Sequence, residues 1–283
     1  MKDNVYKNGN FKKVGRKPKF SNAEIIFLSL TSEILSIDSK NNLFIKLNRE
    51  YKKQFPNLIN RSNYNIRRRN LSSMIEELRK VLSDKIITAE NIFIIDSMPL
   101  EVCKLSRASI AKICREDFHT SPDKGFCASQ KTYFYGYKLH ALCNINGIFT
   151  PFDLTKASIH DIHYLNDVKQ KISNAFLLGD KGYISQEIKT DLFHSENIVS
   201  QTPFRSNQGN YKNHPFLLRK SRKRIEILFS QLCDQFMIRR NYAKSFSGFR
   251  TRIISKITAL TISQFINKFF NLKPISLIKY AFA

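Results

Sequence analysis

Two short apolar runs, each followed directly by an aspartate, limit the possible folds more than any other feature of this sequence. Residues 92–95 (IFII) precede Asp96, and residues 175–179 (AFLLG) precede Asp180. Continuous apolar runs of this length predict strands that are buried on both faces, as in a parallel sheet with helices on each side. The carboxyl ends of such strands meet at one edge of the sheet, which is where ligands bind in open α/β folds.

The segments around these two runs complete an α/β pattern. Alternating aromatic residues predict a strand over 132–143, and Asn144–Gly147 predicts a hairpin turn with positive φ at both turn positions. The returning strand, 148–154, contains Pro151 and is therefore expected at the edge of the sheet. Helices are predicted over 160–172, 185–194, 217–237 and 249–270, with a short strand at 198–199. This order predicts a mixed sheet flanked by helices.

The segment that precedes the first apolar run has a helical period throughout. Ser21 and Glu24 form a capping-box pattern, which predicts the start of a helix. Apolar stripes predict two further helices, over about 44–51 and 62–82. Residues 21–88 are therefore expected to be all-helical.

Three consecutive arginines stand in the opening turns of the last of these predicted helices: Arg67, Arg68 and Arg69. A basic helix start favours contact with DNA, in a helix-turn-helix-like pair joined near residues 55–57. A helical packing domain with a solvated run of charge fits the same residues equally well.

The change of period near residue 91 divides the chain. We expect four parts: a basic flexible arm over 1–20, a helical region over 21–90 that is a candidate for binding DNA, an α/β domain over 91–273 and a tail over 274–283. The segment 101–130 has no clear pattern.

The charge balance points to a polyanionic partner. Lys and Arg total 47 against 23 Asp and Glu, which gives a net charge of +24. Such an excess is typical of proteins that bind nucleic acid, where each phosphate contact releases a counterion. No run approaches about 18 uninterrupted apolar residues, so a membrane span is not expected, and residues 1–13 do not have the apolar core of a signal peptide. The five cysteines form no C-x-x-C pair, so neither a disulfide framework nor a zinc site is expected.

The two strand-end aspartates favour a divalent cation. Two close carboxylates repel each other, and a bound cation removes that cost. Oxygen ligands without nearby cysteine favour Mg²⁺ or Mn²⁺ over zinc. Glu226 borders the apolar face of the helix predicted over 217–237 and supplies a third acid. Each acid alone has an ordinary alternative: Asp180 a turn, Asp96 a strand-end cap, Glu226 a surface ion pair.

Several motifs in order along the chain resemble the DDE transposases of bacterial insertion sequences. They are LTSEILSIDSKNNLF, IIDSMPLEVC, CASQKTYFYGYKLHAL, SIHD, GDKGY and RKRIEILFSQL, and they cover about residues 20–270. The resemblance implies an RNase H-like catalytic domain and an Asp-Asp-Glu triad that binds two Mg²⁺ or Mn²⁺ ions. Matched position by position, the triad is Asp96, Asp180 and Glu226.

The glutamate segment matches its relatives only in part. Related transposases often carry a Tyr-x2-Arg-x3-Glu-x6-Lys signature there. Arg222 and Glu226 match it, whereas Arg219 and Cys233 stand at the tyrosine and lysine positions. The roles of that tyrosine and lysine are therefore not carried over, and neither is the hairpin-forming pathway of some relatives.

The resemblance implies an enzyme that binds the terminal inverted repeats of an insertion sequence, cleaves DNA strands and transfers them to a target. It also implies double-stranded DNA as partner, a homodimer on DNA and a bacterial, nucleoid-associated location in the cytoplasm. The rival functions are a non-transposing metal-dependent nuclease of the same fold and a non-catalytic basic DNA-binding protein. The residues expected to contact DNA are Arg67, Arg68, Arg69, Lys138, Arg219, Arg222, Lys223 and Arg224.

Three other residues near the predicted site remain open. His140 lies two positions from Lys138 on one face of the predicted strand and has either a structural place or a place beside the site. Asp161 is a first-turn helix acid and a minor alternative ligand. Tyr183 has a nucleophilic hydroxyl, but packing or contact with the DNA backbone is the expected role.

Overall fold

The computed structural model describes residues 7, 9–12, 15–88, 91–203 and 216–282, so part of the predicted basic arm lies outside the described residues. Eight α-helices occur in the described residues: α1 Asn22–Ile34, α2 Lys40–Glu50, α3 Arg61–Asn70, α4 Ser72–Ile86, α5 Tyr164–Val168, α6 Gln186–Glu196, α7 Phe216–Asp234 and α8 Phe246–Phe269. Six strands occur there as well: β1 Ile92–Cys103, β2 Asp123–Cys127, β3 Thr132–Asn144, β4 Phe149–Lys156, β5 Ala175–Leu178 and β6 Ile198–Gln201.

The six strands form one mixed sheet. Its order is β2-β3-β1-β5-β6, and β4 also pairs with β3. β1 and β5 are parallel neighbours, with Ile92 opposite Phe176 and Ile94 opposite Leu178, while β1 and β3 are antiparallel. The predicted mixed sheet flanked by helices, and the parallel pairing of its two apolar strands, are confirmed.

The sequence predicted that the first strand ends at Asp96, but β1 continues past this residue. β1 continues to Cys103 because the long strand β3 offers it hydrogen-bonding partners beyond that point, with Asp96 opposite Ala141. β5 pairs with β1 only as far as Ile94. Asp96 therefore lies two residues past the point where the parallel strands separate, and Pro99 is tolerated because β1 has no second strand beside it there.

Two local features differ from the sequence prediction, and one agrees. The segment 101–130, which has no clear pattern, contains the short strand β2. In the hairpin turn only Gly147 has a positive φ, of 84°. β4, with its Pro151, pairs with β3 alone among the described strands, which confirms its predicted edge position.

Helices cover both faces of the sheet. Side chains alternate across β1, so Ile94 packs in a core with residues of α7 and α8. Ile95 packs in a second core with α5 and α6. Asp96 is two residues from Ile94 and therefore shares the face that α7 covers.

The N-terminal helices depart from prediction in two respects. The single helix expected over 62–82 is two helices, α3 and α4, with a break at Leu71. The three consecutive arginines consequently lie in the last turn of α3 instead of at a helix start. Residues 51–60 connect α2 to α3, which is longer than the three- or four-residue turn of a helix-turn-helix motif.

α8 joins these helices to the sheet domain. Leu30 of α1, Ile75 of α4 and Ile254 of α8 form one buried apolar cluster. The Glu33 cluster lies beside it: the buried Glu33 carboxylate is 2.6 Å from Lys256 Nζ and 3.3 Å from Lys40 Nζ. The two regions are thus held together by apolar contacts and by a buried ion network.

The predicted tail, 274–283, is packed against the same framework. Ile278 is buried in the main core, and Gln231 of α7 donates a hydrogen bond to the Ser276 carbonyl. Within the described part of the chain, no helix has both the length and the apolar character needed to cross a membrane.

Candidate active site at the end of the parallel strands

The three predicted acids line a single cavity. Asp96, Asp180 and Glu226 all contribute to a cavity of about 680 Å³. It opens where β1 and β5 separate, beside the helix α7. Three segments that are remote in sequence therefore place their carboxylates around one space.

Burial and neighbouring charge act together on Asp96. Removal from water, together with the negative charges of Asp180 and Glu226, raises its pKa to about 7. The Ser97 amide, which donates to Asp96 Oδ1 at 2.8 Å, and the positive charge of Arg222 oppose it. The carboxylate thus stands among more negative than positive charge, which a bound cation would offset.

Asp180 caps a tight turn. Its Oδ1 accepts a hydrogen bond of 2.8 Å from the Gly182 amide, and residues 181–183 form a 3-10 turn directly after β5. Its second oxygen accepts no hydrogen bond from the residues that the structure describes. The turn therefore fixes the carboxylate while leaving one oxygen available to a ligand.

Glu226 reaches the cavity from the helix side. Ile225 and Leu228 of α7 are buried in the main core, whereas Glu226 is exposed. Arg222 stands four residues earlier, one helical turn away, and lines the same cavity. The helix thus presents a negatively charged and a positively charged side chain next to each other at the cavity.

Asp161 is a fourth carboxylate at this site, which the sequence analysis ranked only as a minor ligand. Its Oδ1 is 2.9 Å from Lys138 Nζ. The position that a Cβ would occupy at Gly182 is 3.0 Å from Asp180 Oδ1 and 3.7 Å from Asp161 Oδ2. These two carboxylates are therefore close, and only the tertiary packing of the 160–163 segment reveals it.

The donor set suits a hard divalent cation in its chemistry. The acids that line the cavity offer oxygen ligands: Asp96, Asp161, Asp180, Glu226 and Asp234. Burial, and then the charges of Asp180 and Glu226, raise the pKa of Asp96. No three His, Cys, Asp or Glu side chains of the described residues form a closed metal-binding group. The carboxylates thus surround one cavity without converging on a single point.

The predicted DNA-contacting arginines of α3 have different environments. Arg68 is buried, 5% exposed; it donates to Ser29 and Ser255 and lies 3.6 Å from Glu33. The prediction that Arg68 contacts DNA is corrected, because its guanidinium is held in the interior.

The neighbours of Arg68 on α3 differ from it. Arg67 donates to the Phe20 carbonyl and to Asn22 Oδ1. Arg69 is half-buried and has no ion pair within the described part of the chain. Of the three arginines, Arg69 has the guanidinium that is most available to contact DNA.

The basic residues near the carboxylates also divide into groups. Arg219 and Lys223 are exposed on α7. Arg224 packs over the hairpin turn, where a Cβ at Gly147 would lie 2.6 Å from its Cδ. Lys138 lines the cavity but is paired with Asp161.

His140 and Tyr183 have structural surroundings. His140 is fully buried, bonded to Thr155 Oγ1 at 2.8 Å and stacked on Tyr164, and burial lowers its pKa to about 4. Tyr183 is 3% exposed, and burial raises its pKa well above the ordinary value. Its hydroxyl is unsuited to act as a nucleophile.

Comparison with known proteins gives one match. Residues 87–262 match the family model described as transposase DDE domain. No curated protein and no solved structure matches the chain. The matched segment contains β1, β5 and α7, and hence every carboxylate of the cavity.

Proposed function

This chain belongs to the transposase DDE-domain family, and from that premise we propose that it binds the terminal inverted repeats of an insertion sequence and catalyses metal-dependent strand cleavage and strand transfer. The observation that carries the proposal is the cavity shared by Asp96, Asp180 and Glu226. The charge of +24 supports DNA as the substrate.

Asp96, Asp180 and Glu226 are the proposed catalytic triad and the ligands of two Mg²⁺ or Mn²⁺ ions. Bound there, such ions lower the pKa of a water and stabilise the charge on the scissile phosphate. Asp180 supports this role because its turn orients the carboxylate. Asp161 is adjacent and holds Lys138 beside the cavity through the 2.9 Å ion pair.

The reaction proceeds in two transfers at phosphorus. A water attacks the phosphodiester at the end of the element, and the bond to the leaving 3′ oxygen breaks, which releases a 3′-hydroxyl and a 5′-phosphate. That hydroxyl then attacks a phosphodiester of the target strand and displaces its 3′ oxygen. Arg222 and Lys138 bind phosphate oxygens and orient the strand.

The partners follow from the reaction. Two element ends must be handled together, so we infer a homodimer on DNA. Arg219 and Lys223, exposed on α7 next to Glu226, contact the DNA backbone. The protein is then a nucleoid-associated one.

The test is a strand-specific assay on the DNA that flanks the gene. A duplex ending in the flanking inverted repeat is labelled on one strand and incubated with the protein in Mg²⁺, Mn²⁺ or EDTA. We expect a nick at the repeat end and joining to a target plasmid, both dependent on the metal. Cleavage without joining would favour a nuclease, and tight binding without any cleavage in either metal would refute the catalytic proposal.

A further inference from the structure

A second and larger cavity lies where the N-terminal helices meet α8. Its volume is about 1170 Å³, and it is lined by the starts of α2 and α8, by α3 and by residues 112, 115 and 116. It shares no lining residue with the carboxylate cavity. We call it the cationic cavity.

Positive charge dominates its lining. Eight Lys and Arg side chains and only two carboxylates, Asp38 and Glu116, face it. Glu116 accepts a hydrogen bond from the Phe246 amide, and Asp38 lies 3.9 Å from Arg240. Four of the cations have no ion pair or hydrogen-bonded side-chain partner in the part of the chain that the structure describes: Arg61, Arg69, Lys112 and Lys244.

Three helix N-termini also converge there. α2, α3 and α8 begin at this cavity, and none of them has an acidic residue in its first turn. Lys40 and Arg61 are instead the first residues of α2 and α3, where the helix dipole disfavours a cation. Backbone dipoles and side chains therefore add to the same positive potential, which attracts an anion.

A buried arginine that lines the cavity has one donor without an acceptor. Arg252 is 5% exposed; its Nη2 donates to the Asp38 carbonyl, but its Nε has no hydrogen-bond partner. A buried donor without an acceptor is unfavourable. Arg252 is therefore a donor that an incoming acceptor would satisfy.

The geometry points to the cationic cavity as a binding site for consecutive phosphates of a DNA duplex, separate from the catalytic carboxylates. Four unpaired cations, two on α3 and one on each of two loops, exceed what one small anion needs, and their spread suits a backbone that passes through the cavity. The inference rests on the proposed function only for the identity of the polyanion.

The test compares two triple variants with equal loss of charge. The first is Arg61→Ala, Arg69→Ala and Lys112→Ala in the cavity. The control is Lys189→Ala, Lys273→Ala and Lys279→Ala, which are exposed residues outside both cavities. Anisotropy of a fluorescein-labelled 30-bp duplex is measured in EDTA over a series of NaCl concentrations, so that binding is read without cleavage.

The cavity variant should lose at least about tenfold in affinity near 150 mM salt, and its log–log salt slope should become shallower by roughly two to three. The control should change by less than half as much, with both melting temperatures near the wild-type value. Equal losses in the two variants, or no loss in the cavity variant, would overturn the proposal.

A competition experiment with inorganic pyrophosphate tests whether the cavity instead binds a small phosphate compound. Pyrophosphate that displaces the duplex only at millimolar concentration agrees with a site for the DNA backbone. Tight pyrophosphate binding, lost in the cavity variant while duplex affinity is retained, would assign the cavity to a small phosphate compound and overturn the DNA assignment.

Failure of this inference is distinguishable from failure of the proposed function. A protein that binds duplex through the cavity but does not cleave in Mg²⁺ or Mn²⁺ refutes the catalytic proposal alone. A cavity variant that binds and cleaves like wild type refutes the DNA-binding role of the cationic cavity and leaves the catalytic proposal intact.

Discussion

Asp96 of the carboxylate cavity and Glu33 of the Glu33 cluster are both withdrawn from water, yet their carboxyl pKa values shift in opposite directions. Burial raises the pKa of both Glu33 and Asp96. At Glu33 the charges of Lys40, Lys256, Arg68 and Arg252 outweigh it and hold the pKa at about 2. At Asp96 the nearby carboxylates reinforce burial, and the pKa rises to about 7.

The difference lies in the charges that surround each acid: positive charge predominates around Glu33 and negative charge around Asp96. Glu33 has all of its counter-charge from the protein itself, and the result joins α1 to α8. Asp96 has Arg222 against two further acids, Asp180 and Glu226, so the protein supplies it with less positive than negative charge. We therefore expect the Glu33 cluster to contribute stability and the carboxylate cavity to contribute metal binding, although both are built from acidic and basic side chains.

The largest expected effect is on catalysis. Asp180→Asn keeps the size of the side chain and its turn but loses the charge that a metal ion needs. Strand cleavage should fall about a thousandfold or more, which is about 4 kcal/mol or more in the barrier, while duplex affinity persists. Asp96→Asn and Glu226→Gln should show the same loss of cleavage as Asp180→Asn. Initial rates of nicking measure the loss.

The matched control is Glu196→Gln, which changes an acid outside the cavity and should cleave at close to the wild-type rate. Near-normal cleavage by Asp180→Asn at unchanged melting temperature would leave Asp180 as a turn residue only. In EDTA, Asp96→Asn should keep or raise the melting temperature, because it removes an uncompensated carboxylate.

The opposite change in stability is expected for the Glu33 cluster. Glu33→Gln leaves Lys256, Lys40 and Arg68 buried without their anion, so the free energy of unfolding should fall by about 3 kcal/mol. Urea unfolding measures it, with the exposed Glu77→Gln on α4 as control. A loss no greater than that of Glu77→Gln would mean that the cluster does not hold the two regions together.

The pH dependence sharpens the same comparison. The folded pKa of Glu33 is about 2 and the ordinary value is 4.5, so its stabilisation is complete above 4.5 and disappears as pH falls towards 2. The difference in unfolding free energy between wild type and Glu33→Gln should therefore shrink by about 2–3 kcal/mol over that window. A constant difference from pH 5 to pH 2.5 would contradict the assignment.

The smallest effect is expected at Lys40, where the cluster meets the cationic cavity. Burial and the charge of Arg68 lower its pKa from 10.5 to about 7, despite Glu33 at 3.3 Å. The unfolded chain thus binds more protons between these values, so stability should rise with pH from 7 to 10.5. Lys40→Met should flatten that rise by about 1 kcal/mol, since relaxation and water access reduce the cost of the buried charge.

Thermal unfolding at pH 7, 8.5 and 10 measures the effect, with the exposed Lys189→Met as control. Parallel curves for Lys40→Met and wild type would show that Lys40 keeps its ordinary titration.

The sequence predicted the parts of the fold that depend on local pattern. Two uninterrupted apolar runs predict the parallel pair β1 and β5, and their following aspartates mark the edge where ligands bind. The strand β2 has too few apolar residues to be recognised, and its position depends on pairing with β3. Residues 123–127 form a strand because β3 provides hydrogen-bonding partners for their backbone, which the local sequence does not reveal.

The burial of Arg68 and the place of Asp161 depend on tertiary contacts. Arg68 continues the buried stripe of Tyr64, Leu71 and Ile75 at spacings of four, three and four, a position normally taken by an apolar residue. Its partner Glu33 belongs to another helix, so the pattern of α3 alone does not reveal the pair. Asp161 likewise joins the site through tertiary contacts, since it pairs with Lys138 of β3, 23 residues earlier in the chain.

The link between Glu33 and Lys256 has a consequence for synthesis on the ribosome. The two residues are 223 positions apart, so the first helix is made long before one of the cations that stabilise the Glu33 carboxylate. Until α8 emerges, Glu33 has no Lys256 and the apolar side of α1 has no Ile254 to cover it. The N-terminal helices have an apolar core of their own, but their contacts with α8 form only after the sheet and α7 have been translated. In a chain that terminates before α8, Leu30 and Ile75 lack Ile254, and that apolar surface is exposed and prone to aggregation.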